Sequence, residues 1–315
     1  MALCLGLDTS NYTTSVAVFD GVSGHNMGKL LEVPQGALGL RQSDALFQHV
    51  KRLPELFRRM REEGKLDGPI SAVGASTRPR AVEGSYMPCF LAGSTQGQVL
   101  ADALGVPFFA CSHQQGHIAA AAWSAGRSDL LGRPHFAWHL SGGTTELLYV
   151  EPEGTNVNAV CIGGTSDISA GQLIDRTGVL LGLSFPAGKA LDALSENADK
   201  DESFIVKIRE GTFSLSGVEN KVKALVEKGE RPENIARYVL STIAGVLCRV
   251  TDQVRQEYPD APVLCSGGVA SNRLIRAALE RSAGAVFAPP QYSTDNALGV
   301  AVLTHRALEG GSLRA

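Results

Sequence analysis

The chain has 315 residues, enough for two compact lobes or one large α/β domain, because single cores rarely grow beyond about 250 to 300 residues. Lys and Arg number 29 against 32 Asp and Glu, a formal net charge of -3, which excludes a global basic field for nucleic acid and leaves only a local patch possible. Cys4, Cys89, Cys111, Cys161, Cys248 and Cys265 form no CxxC pair, and no apolar run approaches the roughly 20 residues that span a bilayer, so the expectation is a reduced, soluble, cytoplasmic protein with no membrane segment.

In chain order, "CLGLDTS" reads as a short buried strand and "TTSVAVFD" alternates before a turn around Gly21 to Gly24, which predicts an opening hairpin. "SDALFQHVKRLPELFRRMREEG" repeats Leu46, Val50, Leu53, Phe57 and Met60 at helical spacing, with an interruption predicted near Pro54. "ISAVGAST" is a predicted strand, "GSTQGQVLADALG" a helix closed by Gly105, and "PFFACS" a strand running into a helix that carries His113 and His117 one turn apart on one face. After "SAGRSDLLGRP" a second strand pair follows, "HFAWHLSGG" and "TTELLYV". Helices are predicted near 168–182 and 216–228, then a long one from Pro232 with Ile235, Val239, Ile243, Val246, Val250 and Val254 on one stripe. "APVLCSGG" is a predicted strand, "ASNRLIRAALERS" a helix and "NALGVAVLTHRAL" a closing helix.

Strands alternating with helices define an α/β class. A hairpin opening each half predicts a duplicated pair of lobes with a cleft, the first over 1–130, the second over 131–290, and a segment 291–315 returning to the first lobe. The boundary falls near Ala125 to Arg133.

The histidine spacing is also that of metalloprotease helices, where a glutamate follows the first histidine as general base. Here that position is Gln114, and an amide cannot take a proton from a metal-bound water, which argues against a peptidase. Alone, His113 and His117 also fit packed or surface residues, Asp175 a helix-surface charge and Asn272 an N-cap. "DTSNYTTS", "HLSGGTTEL" and "LCSGGVASNRLIR" stand in the order, and have the chemistry, of the actin/sugar-kinase/Hsp70 nucleotide fold, whose hairpin turns offer amides and hydroxyls to phosphate.

At higher resolution the chain resembles the TsaD family, tRNA N6-adenosine threonylcarbamoyltransferases once described as glycoproteases of peptidase class M22. "LGLDTS" resembles that family's first strand and turn, "QHVKRLPEL" its first long helix and "HQQGH" its HxxGH element. "LSGGTTEL" is similar to LVSGGHTQL, "GQLIDRTGVLLGLSFPAG" to GEAFDKxAKLLGLxYPGG and "FSLSGVENKV" to FSFSGLKT. "SGGVASNRLIR" and "STDNALGVA" are similar to GGVxxNxxLR and TDNGAMIA.

The resemblance implies an actin-like ATPase fold of two similar lobes with a nucleotide in the cleft, ATP or threonylcarbamoyl-AMP. It implies a divalent metal, Fe²⁺ or Zn²⁺, on His113, His117 and Asp295, as template and Lewis acid. It places His139, Leu140, Ser141, Gly142, Gly143 and Thr144 at the phosphates, Asp175 and Gly188 at the nucleoside, and Gly267, Gly268 and Asn272 on the adenine side. The implied partners are tRNA, TsaB-like and TsaE-like proteins, an enzyme supplying threonylcarbamoyl-AMP and, for oligomeric state, a dimer. Lys51, Arg52, Arg58, Arg59 and Arg61 form a basic helix face that either meets RNA phosphate or is simply solvated.

The chain departs from the family at several of these motifs. Tyr12 and Thr13 stand where SCDETS carries two acids, and Asp8 stands for the glutamate of ETS, so Asp8, Tyr12 and Thr13 are the candidate catalytic residues. Thr144 replaces a histidine, Glu219 replaces a lysine, and "PRAVEGSYMPCFLAG" differs from GPGLVGALLVG. The substitutions at the first turn and at Glu219 predict a changed electrostatic field, and a nucleotide-binding subunit or regulator without transferase activity is the alternative reading.

Overall fold

A computed structural model describes residues 2–10, 12–33, 39–293 and 295–312. Asn11 of the first turn and Thr294, beside Asp295, lie outside the described residues. The chain divides into two compact units: Met1–Arg133 with Glu151–Ala159 and Thr294–Ala315, and Pro134–Val150 with Val160–Ser293.

The first unit opens with β1 (Leu3–Asp8), β2 (Thr13–Phe19) and β3 (Gly24–Leu30), an antiparallel meander. After α1 (Gln42–Glu62), β4 (Ile70–Arg78) pairs parallel to β1. Beyond α2 (Phe90–Leu104), β5 (Phe108–Ser112) pairs parallel to β4 and runs into α3 (His113–Ser124). The sheet order is β3-β2-β1-β4-β5. Strand β3 was not legible: "GHNMGKL" has no alternating apolar pattern, and it forms because β2 offers it a full antiparallel ladder.

Helix α1 runs through Pro54 without the expected break. Proline removes one helical hydrogen bond, but Leu53, Leu56 and Met60 around it are fully buried against β1, β2 and β4, and this packing holds the helix together. The buried face is also rotated from the predicted stripe: Val50 is exposed, while Arg52 is buried. Arg52 donates to the Leu30 carbonyl and to Glu32 at 2.9 Å. It pins β3 and leaves the basic face that Lys51, Arg58, Arg59 and Arg61 still present.

The second unit repeats the plan with β6 (His135–Leu140) and β7 (Thr145–Glu153) antiparallel. There follow β8 (Asn156–Thr165), α4 (Ala170–Leu180), α5 (Gly188–Ser195), the short β9 (Ile208–Arg209) and β10 (Thr212–Phe213), and α6 (Ser216–Glu227). Then come α7 (Pro232–Arg255), β11 (Val263–Ser266), α8 (Arg273–Ala283) and β12 (Val286–Phe287). The sheet order is β12-β11-β6-β7-β8-β10-β9, with β11 parallel to β6. The predicted stripe of α7 is buried from Ile235 to Val250, and only Val254 is partly exposed.

The last helix, α9 (Leu298–Ser312), belongs to the first unit, where it packs on β1 and against α3. Two glycines permit this approach. A Cβ on Gly6 would come within 2.6 Å of the Ala297 carbonyl, and one on Gly299 within 1.8 Å of the Gly116 carbonyl. Both contacts are backbone, which cannot swing aside.

Candidate functional site

Three elements of the first unit bring the polar residues together. β1 ends at Asp8, α3 begins at His113 immediately after β5, and Asp295 precedes α9 by three residues. Helix α3 starts where it does because Ser112 and Gln115 form a reciprocal cap: the Ser112 side chain accepts from the Gln115 amide, and the Gln115 side chain accepts from the Ser112 amide. Gln115 also donates to the Val157 carbonyl at 2.6 Å. The cap fixes the first helical turn, and with it the direction of both imidazoles.

The ligand atoms converge. His117 Nε2 lies 2.9 Å from His113 Nε2 and 3.3 Å from Asp295 Oδ1, and His113 Nε2 lies 3.6 Å from Asp295 Oδ1. Donors bound at roughly 2.0–2.1 Å to a tetrahedral ion stand roughly 3.3 Å apart, and the observed separations bracket that spacing. Two imidazoles and one carboxylate are a donor set for Zn²⁺ or Fe²⁺. They are the group that can hold a metal ion among the described residues.

Behind the cluster stands Asp8, 1% exposed. Its Oδ2 accepts from His113 Nδ1 at 2.7 Å and its Oδ1 from the Ser10 amide at 2.8 Å. Burial works to raise the Asp8 carboxyl, but the charge and hydrogen bond of His113 and the Ser10 contacts hold it below the usual carboxylate range. Burial pulls the His113 imidazole down, yet the Asp8 charge, the hydrogen bonds to Asp295 and Asp8 and the Asp295 charge raise it to about 10 in the metal-free protein. Asp295 is likewise held low: burial opposes ionisation, and the hydrogen bonds and charges of His113 and His117 outweigh it. Burial and the Asp8 charge push the neighbouring Cys111 thiol up, which keeps it protonated and out of the donor set.

The other two candidate catalytic residues follow Asp8 in the same unit. The Tyr12 hydroxyl lies against Gly39 and the Tyr12 carbonyl accepts from the Leu31 amide at 2.7 Å. Thr13 opens β2 opposite Leu30.

In the second unit a cavity of about 570 Å³ is lined by Gly142, Asp175, Gly188, Gly268 and Asn272 from the sequence-predicted set. Gly171, Lys189 and Asp192, which sequence reasoning missed, line it too. The turn after β6 is closed by Ser141 and Thr144, whose amide donates to the Ser141 hydroxyl at 3.0 Å. Ser169 caps α4 and donates to the Gly142 carbonyl at 2.6 Å, so the helix start and the turn are tied. Both helix starts, at Ser112 and Ser169, carry the S-x-x-Q pattern that could have been read beforehand.

Asp175 accepts from the Ala187 amide at 2.8 Å and so holds the loop before Gly188. Asn272 does cap α8, accepting from the Ile275 amide at 3.0 Å, while its amide donates to Asp192 at 3.0 Å. Leu140 has its side chain in the core, and a Cβ on Gly267 would come within 2.1 Å of its carbonyl. His139 is part of the β6 ladder opposite Glu146, and Gly143 sits in the exposed turn. His139, Leu140, Ser141, Gly143, Thr144 and Gly267 thus frame the turn without lining the cavity.

The expected charge reversal at Glu219 is compensated. Glu219 pairs with Arg176 at 2.7 Å and with Lys223 at 2.8 Å. The neighbouring "SLS" loop is anchored by Asp167, which accepts from the Ser214 hydroxyl at 2.5 Å and the Leu215 amide at 2.8 Å.

The same architecture recurs in solved structures. Full-length HypF in a phosphate- and nucleotide-bound form superposes with a TM-score of 0.63 at 14% identity, over 99% of this chain and 56% of that one. Component A of the Acidaminococcus fermentans (R)-2-hydroxyglutaryl-CoA dehydratase superposes with a TM-score of 0.54 at 15% identity, over 98% of this chain and 100% of that one. The chain therefore has the α/β actin-like ATPase fold, built on two mixed sheets.

Sequence comparison narrows the class. The family profile "TsaD: tRNA N6-adenosine threonylcarbamoyltransferase" matches residues 38–302. A Thermus thermophilus protein of that description is 33% identical over 98% of this chain and 93% of its own length. One from Pyrobaculum calidifontis is 27% identical over 98% of this chain and 88% of its own. The chain belongs to the TsaD family.

Proposed function

We propose that the protein is a metal- and nucleotide-dependent transferase that moves a threonylcarbamoyl group from threonylcarbamoyl-AMP to N6 of adenosine 37 in tRNA. The observation that carries this reading is the convergence of His113, His117 and Asp295 in a chain of the TsaD family. In it, His113 and His117 give neutral nitrogen donors and Asp295 a charge-balancing oxygen. A divalent ion held there supplies Lewis acidity toward carbonyl and phosphate oxygens.

The cavity of about 570 Å³ in the second unit has the size of a small-ligand site. Gly142, Gly188 and Gly268 leave backbone open to phosphate and base, Asp175 and Asn272 offer polar groups to the nucleoside, and Lys189 offers a cation to phosphate. In the transfer the N6 amine forms a bond to the carbamoyl carbon, the bond from that carbon to the phosphate oxygen breaks, AMP leaves and the amine gives up a proton. A supply enzyme for the intermediate and TsaB-like and TsaE-like partners complete the reading. No helix among the described residues is long and apolar enough to cross a membrane.

A second reading, a nucleotide-binding subunit without transferase activity, is favoured by one observation: Tyr12 packs its hydroxyl on Gly39 where relatives of this type would carry an acid. Purified protein incubated with tRNA, threonylcarbamoyl-AMP and Zn²⁺ or Fe²⁺ distinguishes the two. The transferase yields the modified nucleoside in digested tRNA, and His113→Ala abolishes it. Protein that binds ATP in calorimetry but yields no product, with any of its expected partners added, is the subunit.

A further inference from the structure

We propose that Asp8 is a positioning residue that sets the tautomer of His113, so that Nε2 faces the ion and Nδ1 carries the hydrogen. This rests on the metal reading above.

A buried carboxylate is an acceptor only. Asp8, 1% exposed, lies 2.7 Å from His113 Nδ1, so that nitrogen must donate, and once the ring is neutral, as metal ligation requires, its hydrogen stays on Nδ1 and Nε2 is left with its lone pair. Nε2 is the atom that points at His117 Nε2 and Asp295 Oδ1. Asp8 therefore stands behind the imidazole and is absent from the donor group.

Both ends of the contact are rigid. Asp8 is held in the β1 ladder opposite Ser15, and His113 is the first residue of a doubly capped helix. The edge of Phe90, at 6.4 Å between ring centroids, restrains the imidazole from the side. The second carboxylate oxygen is not idle, since the Ser10 amide donates to it at 2.8 Å.

That last bond decides what an asparagine would do. In Asp8→Asn the Ser10 N–H still needs an acceptor, so the side-chain oxygen turns to Ser10 and the NH₂ turns to Nδ1. An NH₂ donates, which draws the ring to the tautomer with hydrogen on Nε2 and blocks the ligand atom. The substitution thus keeps the shape of the site and reverses the tautomer. Outer partners of ligating histidines are typically worth about 10- to 100-fold in metal affinity.

The test is competitive titration of the full chain with Zn²⁺ and Co²⁺ against a chelator, with the visible Co²⁺ spectrum as second readout. Asp8→Asn is expected to lose about 10- to 100-fold in affinity with an altered spectrum, and Asp8→Glu, which keeps a carboxylate, to recover most of it. Affinity within threefold of the parent and an unchanged spectrum in Asp8→Asn would overturn the proposal. Because Asp8 is buried and the variant can misfold, the ¹⁵N–¹H correlations of the histidine rings in the Zn²⁺-loaded parent give an answer without substitution: hydrogen on Nδ1 and metal on Nε2 of His113 support it, and the reverse refutes it. A parent that binds neither ion defeats the metal reading itself, an outcome distinct from a parent that binds with the wrong nitrogen.

Discussion

At the scale of single residues, the histidine cluster makes stability and metal capture respond oppositely to pH. In the metal-free protein His113 is raised from 6.5 to about 10, so its ion pairing contributes fully below about pH 6.5 and is lost as pH rises toward 10. Asp8 and Asp295 are lowered, so their contribution is present above the usual carboxylate range and is lost on acidification. Thermal melts in chelator should therefore fall between about pH 6.5 and 10, and His113→Gln should flatten that limb. Metal ligation needs a neutral imidazole, so affinity should rise over the same window. A melting temperature independent of pH there would contradict the assigned pairing. At Glu219 the charge inherited in place of lysine is balanced locally by Arg176 and Lys223. Glu219→Lys should thus destabilise by about 1 kcal/mol through like-charge contact, and Arg176→Glu in the same chain should restore it, as read by denaturant titration. Residue identities alone reported the reversal but not its neutralisation, because Arg176 lies 43 positions away on another helix.

Helices and strands explain which parts of the site could be read in advance. The i, i+4 pair in α3 was legible because a single helix determines it, whereas Asp295 joins only through the backbone packing of α9 on α3, a tertiary event that leaves just small residues in sequence. The resemblance named Asp295; periodicity could not. Strands β9 and β10 are two residues each and had no signal, and α5 was missed because eight residues after a glycine turn carry little pattern. The α3–α9 contact makes its own prediction. Gly299→Ala places a methyl against the Gly116 carbonyl and the Ala120 amide, and should cost about 1–3 kcal/mol. It should also weaken Zn²⁺ binding by moving Asp295, although residue 299 touches no ligand atom. Ser112→Ala removes one half of the reciprocal cap and should cost about 1 kcal/mol in chemical denaturation.

For the molecule as a whole, the histidine cluster and the candidate nucleotide cavity belong to different units. Hydrogen exchange should separate them: Zn²⁺ is expected to protect α3 and α9, and ATP to protect the starts of α4 and α8. Protection of all four helices by either ligand alone would mean that the sites are energetically linked. The duplication of the sheet plan was legible from the two hairpins with polar or glycine turns, one opening each half of the chain. The placement of Glu151–Ala159 with the first unit was not, because "EPEGTNVNA" reads only as a turn between strands β7 and β8, and a turn signal does not say which core its flanks pack on.

Helix α9 rests on α3 through glycine and alanine, with few long side chains to interlock, so its grip depends on exact fit. An ion shared by His113, His117 and Asp295 would rivet that helix to residues more than 170 positions earlier in the chain, closing a long loop much as a reversible cross-link does. The C-terminal segment then becomes a latch whose fastening is set by free metal in the surroundings. A protease added to metal-stripped protein should clip ahead of α9, and Zn²⁺ should slow that cut before it changes anything else.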